Sequence, residues 1–120
     1  SGLSLSLDFG GFPDLTEIRR DLARKCLARG QLHTARHLWS QLLDASQAIA
    51  DDYDGLGALC LLEENSQEAL DFLLKANSLR PDHPPTLSNL GLANFQLGAI
   101  LEARLSRFGP IVLIPTVTLL

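Results

Sequence analysis

Two histidines on one predicted helix are the first residues whose spacing could support chemistry. His33 and His37 are four positions apart, so they would lie on the same side of a helix, as in two-histidine metal sites. Zinc needs at least a third protein ligand, and the neighbouring sequence offers none in a recognised pattern. We therefore interpret both as solvent-exposed helix residues and expect no metal or other cofactor.

The cysteines and one Asp-His pair are the next candidates for reactive groups. Cys26 and Cys60, the only cysteines, are too few for a disulfide scaffold, and we interpret them as small core residues. Asp82 and His83 are adjacent in a proline-rich link with no nucleophile near them in sequence, so turn formation explains them. No phosphate-binding loop, nucleophile elbow or acid pair is recognisable, and Asp51-Asp52 reads as a solvated helix N-terminus. We expect no enzymatic activity.

The composition is that of one globular domain. Of the 120 residues, 46% are hydrophobic and 20% charged, which is enough for a modest shared core. The net charge of −4 leaves no basic surplus to neutralise a phosphate backbone, so we expect no nucleic-acid binding. The apolar runs are shorter than the roughly 20 residues of a membrane-spanning helix, and no secretory signal is recognisable. These features predict a cytoplasmic protein without membrane insertion.

Apolar periodicity predicts a series of helices after a different N-terminal segment. Residues 1–13 alternate leucines with polar residues before Gly10-Gly11 and Pro13, so we interpret them as an extended or flexible segment. The helices are expected at about 14–29, 32–48, 50–63, 65–79 and 87–97, with Gly98 in a turn and a further helix from residue 99. Asp14 and Asn65 are candidate N-caps, each with a glutamate three residues later.

The same residue types recur at intervals of 34. The coincident positions are Leu22, Leu56 and Leu90; Ala23, Gly57 and Gly91; and Ala35, Ala69 and Ala103. Small residues in the same positions of each unit allow two antiparallel helices to approach closely. The chain is therefore predicted to repeat a helix-pair unit.

The most complete unit resembles a known repeat family. It runs from Tyr53 to Pro81 and contains Tyr53, Leu56, Gly57, Cys60, Ala69, Leu73, Ala76 and Pro81. Their order and spacing resemble the tetratricopeptide (TPR) repeat, a 34-residue helix-turn-helix unit. The first unit departs from the pattern with Arg19 and Ala23, and the third with Arg107 and Pro110. The resemblance covers about residues 15–108.

This resemblance implies a fold and a broad function. It implies an all-α, right-handed solenoid of antiparallel helix pairs over residues 14–108, with about three repeats, the last incomplete. It also implies a non-catalytic protein–protein interaction module that binds an extended or helical peptide of a partner in its concave groove. By analogy with the family, the groove residues are Arg20, Arg24, Leu27, Asp51, Asp54, Ala58, Leu61, Leu62, Asn89, Leu92, Phe95 and Gln96.

The predicted groove has an aliphatic floor, a basic rim from Arg20 and Arg24, and an acidic rim from Asp51 and Asp54. An apolar peptide or amphipathic helix with Leu-like or Phe-like anchors would suit it, although some floor leucines could instead be core. The carboxylate clamp of TPR co-chaperones is mostly missing from the matching positions, and so is the asparagine ladder of glycosyltransferase-associated arrays. Alternatives are a regulatory or substrate-presenting domain excised from a larger enzyme, such as a transferase, or a self-assembly module.

The C-terminal tail, residues 109–120, is apolar and β-branched and contains Pro115, so it is a poor helix. It could fold back over the third unit or into the groove, pair with another chain, or be disordered or foreign sequence. A homodimer through this tail or the last repeat therefore stays open as an alternative.

Overall fold

The computed structural model of the protein describes residues 14–107, with side chains to residue 105. Its helices are α1 (Leu15–Ala28), α2 (Leu32–Asp44), α3 (Ala50–Leu62), α4 (Ser66–Leu79) and α5 (Pro84–Arg107). The all-α prediction is confirmed for this part of the chain, which contains no strand. The predicted N-terminal segment and apolar tail lie outside the described residues. None of the five helices is long and apolar enough to span a bilayer.

Side-chain caps start α1 and α4, though not both in the predicted form. Asp14 accepts a hydrogen bond from the Thr16 backbone N–H (2.9 Å), but Glu17 does not complete a capping box and instead binds Arg20. At α4, Asn65 accepts from the Glu68 N–H (3.4 Å), and its Nδ2 donates to the Glu68 carboxylate (2.9 Å). The bonds from the Thr16 and Glu68 N–H groups satisfy backbone donors that a helix N-terminus otherwise leaves unpaired.

Three helices end in the same left-handed turn. Gly30, Ser46 and Glu64 have φ of 77°, 57° and 59°, and the next residue's N–H donates to the carbonyl five residues before it, at 2.8 Å in every case. This is the Schellman arrangement, which satisfies the last helix carbonyls. It ends α2 at Asp44, earlier than the predicted residue 48.

The helices pack as two pairs followed by a single helix. Short turns join α1 to α2 and α3 to α4, α3 also contacts α1 and α2, and α5 packs on α4 and α3. One core cluster lies between the pairs and comprises Ala23, Cys26, Ala35, Trp39, Leu42, Leu56 and Leu59. A second joins α3, α4 and α5 and comprises Cys60, Leu61, Ala69, Leu73 and Ala93.

The predicted turn at Gly98 is wrong. The chain continues through this residue as one helix of 24 residues, so the third unit is not a helix pair. A glycine inside a helix costs only about 1 kcal/mol relative to alanine, and Gly98 stands between the helix formers Leu97 and Ala99. Neither a proline nor a capping residue is present to stop the helix there.

Candidate protein-binding groove

The first predicted groove residue, Arg20, is buried. Its Nε lies 2.9 and 3.0 Å from the two carboxylate oxygens of Asp52, and the two side chains are 4% and 0% exposed. Nη1 binds Glu17 (2.6 Å) and Nη2 donates to the Gln47 carbonyl (3.1 Å). The hydrogen bond to Asp52 raises the pKa of the Arg20 guanidinium. The prediction that Arg20 forms an exposed basic rim is therefore wrong, because its donors are used inside the protein.

Asp52 is likewise not the solvated helix end that the sequence suggested. Besides Arg20, its carboxylate accepts a hydrogen bond from the Ile49 N–H (2.9 Å), so it also caps the start of α3. Ile49 stands at the N-cap position and has no polar side chain to do this. Asp52 is thus a structural residue that joins α1 to α3.

Four other predicted residues gather around one cavity. It has a volume of about 580 Å³ and lies where α1, α3 and the start of α5 meet. Its lining residues are Arg24, Leu27, Trp39, Asp51, Asp54, Gly55, His83 and Pro85. We call this the α1–α3–α5 groove.

Trp39 and Gly55 shape this groove together. The indole is fully buried and lies so close to the Gly55 backbone that a Cβ at position 55 would overlap its ring. The indole Nε1 has no hydrogen-bond partner among the described residues. Glycine is therefore required at position 55 for space, and it brings the backbone of α3 directly onto the tryptophan.

The acidic wall of the groove is held by an arginine that the sequence reading missed. Arg80 binds Asp51 through Nη1 and Asp54 through Nη2, both at 2.8 Å. The buried Thr86 hydroxyl also lies 2.7 and 2.8 Å from the two Asp54 oxygens, linking α3 to α5. The Asp54 carboxylate is thus bound by other side chains of the protein. Asp51 remains nearly half exposed and can contact a ligand.

The opposite wall comes from α1. Arg24 is half exposed and binds Asp21, one turn away, at 3.3 Å. Such an exposed pair is weak and can open to a competing carboxylate at little cost. Leu27 is partly buried against the core and offers the remaining apolar surface on this side.

The other seven predicted residues do not form one continuous floor. Leu61 is buried in the second core cluster, which corrects its placement in the groove. Gln96 is used structurally, since it accepts from the Ser66 hydroxyl (2.8 Å) and donates to the Leu61 carbonyl (3.5 Å). Of the rest, Ala58 and Asn89 are partly buried, and Leu62, Leu92 and Phe95 are exposed. Phe95 lines a separate cavity of about 220 Å³ beside Glu64 and Ser66.

The residues considered for chemistry are placed apart. His33 and His37 are exposed on α2, and residues 14–107 contain no group of three ligating side chains that could hold a metal ion. Cys26 and Cys60 are free thiols, and both are buried, as their interpretation as core residues predicted. Burial and a hydrogen bond to Glu68 raise the pKa of the Cys60 thiol to about 11, which keeps it protonated and unreactive. Asp82 occupies a turn with φ of 61°.

The chain matches no protein-family model, and comparison with curated proteins and with solved structures finds no match. The case for a function therefore depends on the residues of the groove and on the helix-pair pattern.

Proposed function

We propose that this protein is a non-catalytic interaction module that binds a peptide segment of a partner protein in the α1–α3–α5 groove. The supporting observation is the cavity of about 580 Å³, which has Arg24, Leu27, Asp51 and Asp54 in its walls. These residues come from the first helix of two successive pairs, the surface that the TPR resemblance implies for ligand binding.

The specific all-α fold that we propose is a TPR-like right-handed solenoid. Two helix pairs and the contacts of α3 with both α1 and α5 support it, because stacked repeats bring their first helices side by side. In this proposed arrangement α5 would correspond to the next first helix.

The groove walls suggest the chemistry of the peptide. Leu27 and Pro85 offer apolar surface for one aliphatic or aromatic anchor, and the fully buried Trp39 supports this surface from the core. Asp51 on one side favours a basic residue, and Arg24 on the other favours an acidic one. An extended segment with an apolar anchor between opposite charges would satisfy both walls.

A displayed library of random linear peptides, selected against the wild-type protein, tests this proposal. We expect enriched peptides to share an apolar anchor and to lose about tenfold in affinity with Arg24→Glu or Asp51→Lys, equivalent to ~1.4 kcal/mol. Lys25→Glu on α1 and Asp71→Lys on α4 are matched charge reversals at exposed positions that do not line the groove.

Each variant should first be shown to have the same urea unfolding midpoint as the wild-type protein. Peptides that bind equally well to all four variants would refute the groove as the binding site. A library that yields no binder at millimolar protein concentration would refute the proposed function.

A further inference from the structure

One side of α5 carries residues in the spacing of a helix-pairing seam. Leu87, Gly91, Asn94, Gly98, Leu101 and Leu105 follow one another at alternating intervals of four and three residues. This is the heptad spacing that keeps a stripe facing a partner helix. We call these six residues the α5 seam. It is about 27 Å long at the rise of an α-helix.

Most of the α5 seam is uncovered by the rest of the described molecule, although Leu105 is partly buried and Leu101 borders a cavity of about 470 Å³ beside the turn between α3 and α4. Leu87 and Leu101 are 45% and 54% exposed, and Gly91, Asn94 and Gly98 are exposed as well. A Cβ built on Gly91 or Gly98 meets no atom within 4 Å. The packed side of α5 is a different one, marked by the fully buried Thr86 and Ala93.

The corresponding side of α3 shows what such a surface normally contacts. Gly57, 34 residues before Gly91, is buried, and Leu73 of α4 fills the space beside it so completely that a Cβ there would overlap the leucine. Cys60, 34 residues before Asn94, is also fully buried. The second pair thus covers this side with a helix that inserts a leucine at the glycine, whereas α5 has no such partner among the described residues.

The charge pattern of α5 is also unusual for an exposed helix. No charged residue occurs from Pro84 to Leu101, and the first is Glu102. Solvent-facing sides of helices normally carry charged residues, so this surface is suited to contact rather than to hydration.

The α5 seam is complementary to itself when a second helix runs antiparallel to it. With a two-fold axis beside Gln96, Leu101 of one copy faces Gly91 of the other, and Leu87 faces Leu105. The inner glycines allow a close approach, and each inner leucine enters the space above a glycine, as Leu73 does at Gly57. In a parallel pair, glycine would face glycine and leave voids.

Asn94 adds a reason for one register. It is the single polar side chain of the α5 seam, and in this register it lies next to the axis and faces Gly98 of the second copy. A polar residue at one seam position specifies register and the number of chains, at some loss of stability.

We propose that two copies of this protein associate through the α5 seam as an antiparallel, two-fold helix pair. We expect the partner to be a second copy of this chain, because the α5 seam is complementary to itself. An isologous contact requires this, since both copies contribute the same surface. A contact about 27 Å long between two helices is small beside a standard interface of ~800 Å² per partner. The dimer is therefore expected to dissociate at about 1–100 μM.

Sedimentation velocity of the full chain from about 1 μM to 1 mM tests the association. We expect a reversible monomer–dimer equilibrium that Leu101→Ala weakens about tenfold and that Gly91→Leu abolishes. The double variant Gly91→Leu with Leu101→Ala exchanges the large and the small side chain at these two facing positions and should restore the dimer. Leu92→Ala removes a leucine of similar exposure outside the seam (45%, against 54% for Leu101) and should leave the equilibrium unchanged.

Cysteine cross-linking tests the orientation. Copies carrying Asn94→Cys are mixed with copies carrying Gly98→Cys under mild oxidation, while the native cysteines are buried. An antiparallel pair gives mainly the mixed disulfide, whereas a parallel pair gives the two homodisulfides and would overturn the geometry.

Three results would overturn the proposal. These are a monomer at every concentration, a dimer insensitive to both Gly91→Leu and Leu101→Ala, and a monomer that dimerises only after residues 109–120 are removed. The last would make the chain's own tail the occupant of the seam. Circular dichroism of each variant should show unchanged helix content, because position 91 has open space in the monomer.

Discussion

Arg20 of α1 and Asp52 of α3 form an ion pair sealed from solvent, with two N–H···O distances of 2.9 and 3.0 Å. The Asp52 carboxylate also caps α3, and Arg20 also binds the Gln47 carbonyl before that helix. One charge pair therefore fixes the first helix of one pair against the first helix of the next.

Breaking this pair on one side should be strongly destabilising. We expect Arg20→Met to lower the free energy of unfolding by about 3–5 kcal/mol, because it leaves the Asp52 carboxylate buried without its counterion. The double variant Arg20→Met with Asp52→Asn should be much more stable than Arg20→Met, since the amide can still cap α3. Urea titrations measure both, and strictly additive losses would contradict a coupled pair.

Two glycines 34 residues apart should respond in opposite directions to alanine. Gly57→Ala should lower the free energy of unfolding by about 1–3 kcal/mol, because the new Cβ overlaps Leu73. Gly91→Ala should raise it by about 0.5–1 kcal/mol, because the space is open and alanine favours the helix. Chemical unfolding at low micromolar protein concentration compares the free energies of unfolding of the two variants in the monomeric state. Equal effects would show that the two sites have equivalent surroundings.

The hydroxyl of Thr86 should stabilise the junction of α3 and α5. Thr86→Val keeps the side-chain shape and removes the bonds to Asp54, so we expect a loss of about 1–2 kcal/mol. Ser88→Ala, at an exposed position on the same helix, is the control and should change little. Urea unfolding followed by circular dichroism measures the difference. A neutral Thr86→Val would mean that Arg80 alone satisfies Asp54.

Alkaline pH should destabilise the protein through Cys60. Burial and Glu68 raise its pKa from 9.0 to about 11 in the folded state. Both states keep the thiol proton below pH 9; above it the unfolded chain loses the proton first, so unfolding becomes more favourable as pH rises. The loss should reach about 1 kcal/mol by pH 10. Urea midpoints at pH 8 and 10 should show this slope, and Cys60→Ala should reduce it by that amount.

Local sequence signals located most helices but not every boundary. Gly30 marked the end of α1, since glycine favours the left-handed turn that it adopts. Ser46 adopts the same turn without such a signal, and so the end of α2 was placed too late. Gly98 gave the opposite error, because a glycine that can break a helix is also tolerated within one.

The groove was only partly predictable because exposure depends on distant residues. Arg24 and Asp51, which the repeat spacing predicted for the groove, lie on α1 and α3 and line one cavity. It could not show that Arg20, one turn from Arg24, would be buried, since its partner Asp52 is 32 residues away. Arg80 lies outside the first helices, so the pattern gave no reason to connect it with Asp54.

The left-handed turns have a consequence for the protein's capacity to accept mutation. Ser46, Glu64 and Asp82 hold φ of 57–61°, a conformation that costs L-residues about 1 kcal/mol or more. Glu64 lines the cavity of Phe95, and Asp82 directly precedes His83 in the α1–α3–α5 groove. The backbone at these positions next to both cavities therefore makes the fold less stable than it could be. Glycine at any of these positions would raise the free energy of unfolding. The protein could then tolerate more destabilising mutations elsewhere in the chain.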